Sequence, residues 1–334
     1  MPATDAFPRA RAVVAYRCSV IRLATIGTSA ITERFIDAVR QNDGIRVDVV
    51  FSRDLARGRA FADKTGVAEA SDDLDALLAS GRIDAVYVGS PNGAHGAQAH
   101  RAIEAGVHVF LEKPATPTSA EFTALVDAAS ARGVIIFEGM RNVYDPGMAA
   151  VRELLPEVGT VRLVAFAQCQ RSARYDLVLA GETPNIFDPA LAGGAAFDLG
   201  VYPLSALIDL FGTPSSVAGG LVEIATGADG AGAATLTYPG MVAQLAFSKI
   251  GFSSRPNEIQ GETGTLTIDE ITQPRHVVLT RLDGTTVERR IDGADNNMAY
   301  EVGRFAELVR GEVDARPDQQ RTLDVLRVIE ALRG

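Results

Sequence analysis

Ile21-Arg22-Leu23-Ala24-Thr25-Ile26-Gly27-Thr28-Ser29-Ala30-Ile31-Thr32 is the stretch on which the fold turns. Its first six residues, mostly aliphatic or β-branched, predict a strand. Gly27 supplies a turn, and Ile31, Phe35, Ile36 and Val39 then fall on one face of a helix. A dinucleotide-binding fold places its Gly-x-Gly-x-x-Gly/Ala turn at such a junction, where helix amides cradle a pyrophosphate. Only Gly27 matches that pattern fully. Ser29 puts a Cβ where backbone should approach the phosphates, although its hydroxyl can donate to a phosphate oxygen, and Thr28, Ala30 and Ile31 complete the turn and the helix start. Alone, the stretch reads equally as a plain strand-to-helix turn, so its neighbours decide.

Outward from it, short β-branched runs at 46–51, near Val67, and at 83–88, 107–111 and 134–137 alternate with helical patterns. That alternation predicts βαβ units and a parallel sheet. One helix has a marked start, because Thr118 can cap it while Glu121 reaches back in a capping box. After Asp145-Pro146-Gly147 the pattern changes to a helix at 148–155 and then to strands joined by tight turns. Tyr238-Pro239-Gly240 and Asp283-Gly284 join apolar runs into antiparallel hairpins. Helices are expected at Val201–Phe211, Met298–Val309 and 318–332. The expected fold is therefore an α/β Rossmann dinucleotide-binding domain over 20–142, then an α+β substrate-binding and oligomerisation domain over 143–334 with a large, mainly antiparallel open sheet. Residues 1–19 form an N-terminal extension in this scheme.

The composition narrows the function. A chain of 334 residues exceeds what one core usually serves, and 47% hydrophobic with 22% charged residues is ordinary for a globular protein. The formal net charge of −10 opposes phosphate backbones and anionic membranes, which leaves a small molecule as the expected partner. No apolar run approaches the roughly 20 residues that span a bilayer. Arg9, Arg11 and Arg17 surround an Ala-Val-Val-Ala stretch too brief for a signal-peptide core, so a cytoplasmic protein is expected. Cys18 and Cys169 are too far apart in sequence to suggest a motif, and His100, His108 and His276 have no coherent ligand spacing, so no metal site is indicated.

Phe51-Ser52-Arg53-Asp54 ends the second strand, where an acid would bind the ribose 2′-hydroxyl of NAD. Ser52 stands in the acid's place and Arg53 offers a planar cation suited to a 2′-phosphate, which favours NADP while leaving NAD open. Asp48 is at the right distance from Gly27 but sits mid-strand.

Three further segments follow: Ser90-Pro91-Asn92-Gly93-Ala94-His95, Glu112-Lys113-Pro114-Ala115, and Gly193-Gly194-Ala195-Ala196-Phe197-Asp198-Leu199-Gly200-Val201-Tyr202. Together they make the chain resemble the Gfo/Idh/MocA oxidoreductases over nearly everything after Val20. Many members carry His at the position of Tyr202, whereas Tyr there resembles the glucose–fructose oxidoreductase and dihydrodiol dehydrogenase-like branch. The resemblance implies that Ser90, Pro91, Asn92, His95 and Glu112 line the ribose and nicotinamide side of the cofactor. It implies too that Lys113 touches both substrate and nicotinamide ribose, and that Asp198 and Tyr202 face them from the second domain. The residues agree on location, since open parallel sheets bind ligands beyond the carboxyl ends of their strands. Lys113, Tyr202 and Asp198 are thus the catalytic candidates, and Arg171, Arg174, Tyr175 and Asn185 candidate pocket residues. The implied reaction is hydride transfer between nicotinamide and a secondary alcohol or ketone of a sugar, polyol or vicinal diol; the alternative is a non-catalytic nucleotide-sensing regulator on the same fold. A homodimer or homotetramer through the second-domain sheet is expected, because antiparallel sheets with two apolar faces seldom stay open to water.

Overall fold

The computed structural model describes residues 20–334; the expected N-terminal extension, with Cys18, lies outside the described residues. The first half runs β1 (Ile21–Ile26), α1 (Ala30–Val39), β2 (Ile45–Phe51), α2 (Leu55–Thr65), β3 (Glu69–Ser71), α3 (Leu74–Ala79), β4 (Ala85–Val88), α4 (His95–Glu104), β5 (His108–Leu111), α5 (Ser119–Arg132) and β6 (Ile136–Glu138). The six strands are parallel in the order β3-β2-β1-β4-β5-β6. Helices cover both faces, which is why a strand such as β4 is buried at every position. The short third strand lies at Glu69–Ser71 and not at Val67, whose side chain packs with Ile36, Val50, Phe61 and Ala62. It forms the sheet edge, where an apolar run is not required. Half of the predicted capping box forms: Thr118 accepts from the Glu121 amide at 3.2 Å, while the Glu121 carboxylate lies against Gly96.

The second half contains α6 (Pro146–Leu154), β7 (Val161–Cys169), α7 (Tyr175–Leu179), α8 (Val201–Phe211), β8 (Ser216–Glu223), β9 (Asp229–Tyr238), β10 (Met241–Ser248), β11 (Asn257–Gly261), β12 (Gly264–Ile268), β13 (His276–Arg281), β14 (Thr286–Arg290), α9 (Met298–Val309) and α10 (Arg316–Arg333). Its eight strands follow the order β14-β13-β12-β11-β7-β10-β9-β8, all antiparallel except the central β7–β10 pair. Both predicted hairpins are present; Tyr238 pairs with Met241 across Pro239-Gly240, and Gly240 takes the left-handed φ of +77° that the turn needs.

One expectation needs correction, and one contact ties the two halves of the chain together. α9 returns to the first sheet: Phe305 meets Phe110 at 5.3 Å and Phe137 at 6.0 Å, in one cluster with Ile21, Phe35 and Tyr87. One segment, Pro189–Phe211, also has the length (23 residues) and mean hydropathy (1.4) of a membrane span. Its most apolar window is 83% buried, so it serves as the core helix between the large sheet and the first domain.

Candidate active site

The strand order reverses between β1 and β4, which opens a crevice at their carboxyl ends. Gly27 has φ +126°, and a Cβ there would lie 2.7 Å from the Gly89 carbonyl oxygen, so glycine is required for the two loops to approach. Ser29 caps α1 through its backbone only, its Oγ lying 3.2 Å from Thr32 Oγ1, so its side chain leaves the first-turn amides free for an anion. With Thr28 and Ile31 half-buried and Ala30 exposed, this bare backbone cradle fits a dinucleotide pyrophosphate. At the end of β2, the Ser52 hydroxyl accepts from the Asp54 amide at 3.3 Å, and Arg53 is exposed with no ion pair among the described residues. Asp48 is occupied by Arg46 at 2.7 Å.

The loop after β4 is more internal than the resemblance implies. Ser90 Oγ donates to Gln98 at 2.6 Å, Pro91 is exposed, and Asn92 donates to the Ala192 carbonyl at 3.0 Å, tying the loop to the second half of the chain. His95 is fully buried, with Nδ1 2.9 Å from the Pro114 oxygen and Nε2 2.9 Å from the Ser90 oxygen. Burial pushes its imidazole below the ordinary value. It joins the loop after β4 to the loop after β5 through these two contacts. The Glu112 carboxylate turns inward, accepting from Tyr87 Oη at 2.9 Å and the Lys113 amide at 3.1 Å, and burial pushes its pKa upward.

Lys113, Asp198 and Tyr202 come together. Asp198 sits in a wide π-type turn, Ala196–Gly200, that runs straight into α8 over the expected Val201–Phe211. Asp229 caps this turn by accepting from the Ala196 amide at 2.6 Å and is itself held by Arg333 at 2.9 Å. Lys113 Nζ donates to Asp198 Oδ1 and to the Asp198 carbonyl, each at 2.7 Å, and stands 5.0 Å from the centre of the Tyr202 ring. Two further cations were not anticipated. Lys249 Nζ, on a residue only 1% exposed, donates to Asp198 Oδ2 at 2.5 Å. Arg141 donates through Nε to Tyr202 Oη at 3.3 Å.

The charges sort the roles. Burial works against the Asp198 carboxylate, but Lys113 and Lys249 override it and hold the group well below the ordinary carboxylate range. Burial also works against the Lys113 ammonium, yet Asp198, with Tyr202 and Glu112, raises its pKa, so Lys113 stays protonated. Lys249 moves the other way, because burial outweighs Asp198 and Lys113 adds repulsion. Lys113 is therefore held in its charged form, as a hydrogen-bond donor.

Further out, Arg171 is paired with Asp176 at 2.7 Å and lies 5.4 Å from the Tyr175 ring centre. Tyr175 contacts Phe187 at 6.0 Å, and Phe187 contacts Lys249 Nζ at 4.9 Å, so Arg171 and Tyr175 connect to the site through Phe187. Arg174 and Asn185 are exposed, and no side-chain bond joins them to this row among the described residues. Lys249 was legible in principle. Met241, Ala243, Leu245 and Phe247 face the core in alternation, and Lys249 extends that face by one step. A charge there demands a buried partner.

Known proteins place this geometry. The oxidoreductase family model with an NAD-binding Rossmann fold, GFO/IDH/MocA, matches residues 21–140, and the GFO/IDH/MocA C-terminal domain matches residues 148–267. The chain is 35% identical over 316 residues to scyllo-inositol 2-dehydrogenase (NADP(+)) from Bacillus subtilis, covering 94% of this chain and 96% of that protein. It is 33% identical over 302 residues to dTDP-3,4-didehydro-2,6-dideoxy-alpha-D-glucose 3-reductase from Streptomyces violaceoruber, covering 87% and 85%. A 3-ketoreductase from Actinomadura kijaniata, solved with NADP and TDP-benzene, superposes with a TM-score of 0.84 at 27% identity, covering 94% of this chain and 97% of that one. With both halves matched and a relative this similar along almost its whole length, the chain belongs to the Gfo/Idh/MocA family of oxidoreductases.

Proposed function

We propose that the protein is an NADP-dependent dehydrogenase or reductase that moves hydride between the nicotinamide and a ring secondary alcohol or ketone of a cyclic polyol or sugar. One observation carries the reading: a charged lysine, a carboxylate and a tyrosine meet beyond the carboxyl ends of the parallel strands, beside a bare-backbone pyrophosphate cradle. The relatives named above supply the substrate class and the NADP preference, and the unpaired Arg53 supports the latter. Tyr202 in place of His keeps vicinal diols in view. When bound, the nicotinamide gives or takes the hydride. Lys113 points an ammonium at the reacting oxygen, Asp198 fixes that ammonium, and Tyr202 exchanges the hydroxyl proton.

Incubating the protein with inositols, aldoses, vicinal diols and 3-keto sugar nucleotides, with NADP(H) and NAD(H) separately, and following reduced-nicotinamide absorbance tests the reading. Turnover of a polyol or sugar with NADP preferred is expected; nicotinamide binding without turnover of any of these classes would favour a regulator.

We also propose a homo-oligomer through the large sheet. One face packs on α6, α8 and α10, while Ala165, Ala167, Val242 and Ala246 point to the other, and Val222 at its edge is 54% exposed.

A further inference from the structure

Arg141 is a cation in this site that the proposed chemistry has not yet used. It follows β6, and its neighbour Asn142 donates to the Tyr202 carbonyl at 3.0 Å while Arg141 itself donates to the Tyr202 hydroxyl, so one dipeptide holds both ends of that residue. The guanidinium carbon lies 5.2 Å from the Tyr202 ring centre. Behind it, Arg141 NH1 donates to Asn297 Oδ1 at 3.0 Å. Asn297 is fully buried, and its amide nitrogen is taken by Asp145 Oδ2 at 2.9 Å and the Thr272 carbonyl at 3.0 Å, so only its oxygen is left to face the arginine. The fork of Arg141 is therefore aimed from behind, with one arm on a fixed acceptor and the other on the tyrosine.

We propose that Arg141 is a catalytic residue: its guanidinium fixes the direction of the Tyr202 hydroxyl and takes up the negative charge on that oxygen whenever the proton passes to substrate. The assignment rests on Tyr202 as the proton-exchanging group and adds a second cation to Lys113. Stabilising charge where it develops is the larger part of many catalytic effects, and a preorganised donor does so without reorganising. The other charged groups facing this pair do not cancel it. Glu112 below Lys113 and Glu301 on α9 are both pushed toward the neutral acid, by burial first and, for Glu301, by repulsion from Glu112. Asp145 is held by Asn297 and lies 3.5 Å from Arg275, and Asp198 is taken by the two lysines. Arg141 keeps its charge, because its neighbours, Tyr202 and the hydrogen bond to it first, outweigh its burial.

The test compares Arg141→Gln, Arg141→Lys, Tyr202→Phe and the double variant Tyr202→Phe/Arg141→Gln, with NADP(H) and a substrate turned over by the unaltered enzyme. Arg141→Gln should lower kcat about 100-fold, the loss typical of one missing charge-stabilising donor, while NADP affinity measured by nicotinamide fluorescence stays the same. Arg141→Lys restores the charge without the fork, so it should bring back only part of the rate; it also serves if Arg141→Gln folds poorly. In the Tyr202→Phe background the Arg141→Gln change should cost almost nothing further. An equal loss in both backgrounds, or NADP affinity falling in step with kcat, would overturn the assignment and make Arg141 a structural or cofactor-holding residue. If Tyr202→Phe slows turnover and Arg141→Gln does not, the Arg141 assignment alone fails. Full turnover by Tyr202→Phe would remove the role of Tyr202 and the Arg141 proposal with it.

Discussion

Replacing Asp198 by Asn leaves Lys113 and Lys249, which now share one carboxylate at 2.7 and 2.5 Å, facing a neutral amide. The Lys249 side chain is 2% exposed and cannot turn to water, whereas the Asp198 side chain is 41% exposed. Removing one member of a fully buried pair costs about 3–5 kcal/mol; solvent screening at the open carboxylate brings the expectation here to about 2 kcal/mol. With about 2.1 cal/mol/K of unfolding entropy per residue over a 334-residue chain, that lowers Tm by about 3 °C. The pH dependence has a fixed sign. The folded-state value of Asp198 is depressed, so its contribution is complete above the unfolded value of about 3.9 and is lost as pH falls below it. Scanning calorimetry of both proteins should show the full gap at pH 7 and a shrinking gap below about pH 4. Adding Lys249→Met to Asp198→Asn removes the stranded ammonium and should recover most of the Tm, but not the turnover, since Lys113 still lacks its anchor. Equal Tm values for Asp198→Asn and the unaltered protein at pH 7, or a gap that grows in acid, would refute the shared-carboxylate account.

Other outcomes follow from the same geometry. Arg53→Ala should weaken NADP by roughly 10- to 100-fold, the worth of about 1.5–3 kcal/mol for a charged contact, and leave NAD unchanged; equal losses in titrations of both cofactors would contradict the assignment of Arg53 to the 2′-phosphate. Lys113→Ala should reduce turnover more than Tyr202→Phe, and in kinetics of the double variant the two losses should combine to less than their sum, because Lys113 acts partly through Tyr202. Sedimentation at micromolar concentration should show a species heavier than the 35.3 kDa chain, and Ala165→Arg, placing a charge on the outer sheet face, should return it to monomer.

What the sequence made legible is what repeats or is punctuated. Continuous β-branched runs gave the parallel strands, and Pro239-Gly240 and Asp283-Gly284 gave the hairpins, because strand burial and turn conformations leave a local trace. The polar edge strand at Glu69–Ser71 left none. Nor did the parallel contact between β7 and β10, which pairs Ala165 with Gln244 across a long span of chain, or the return of α9 to the first sheet. At the site, Lys113, Asp198 and Tyr202 were found through motifs, but motifs do not tell which way a side chain turns. His95 and Glu112 belong to the same motifs and turn inward, toward the Ser90 and Pro114 carbonyls and toward Tyr87. Arg141 and Lys249 lie in no motif. Their roles depend on partners 61 and 51 residues away, a separation at which one sequence carries no pairing signal.

The central claim is that the Tyr202 hydroxyl carries the proton that accompanies hydride transfer. Its most direct measurement is the rate of NADPH oxidation by Tyr202→Phe in a rapid-mixing experiment, on whichever ketone the unaltered enzyme reduces, across the pH range in which both proteins stay folded. General acid–base catalysis contributes about 10²–10⁴-fold, so the variant should be slower by a factor in that range, with NADPH affinity unchanged. A Tyr202→Phe variant that reduces the ketone at the full rate at every pH would contradict the account.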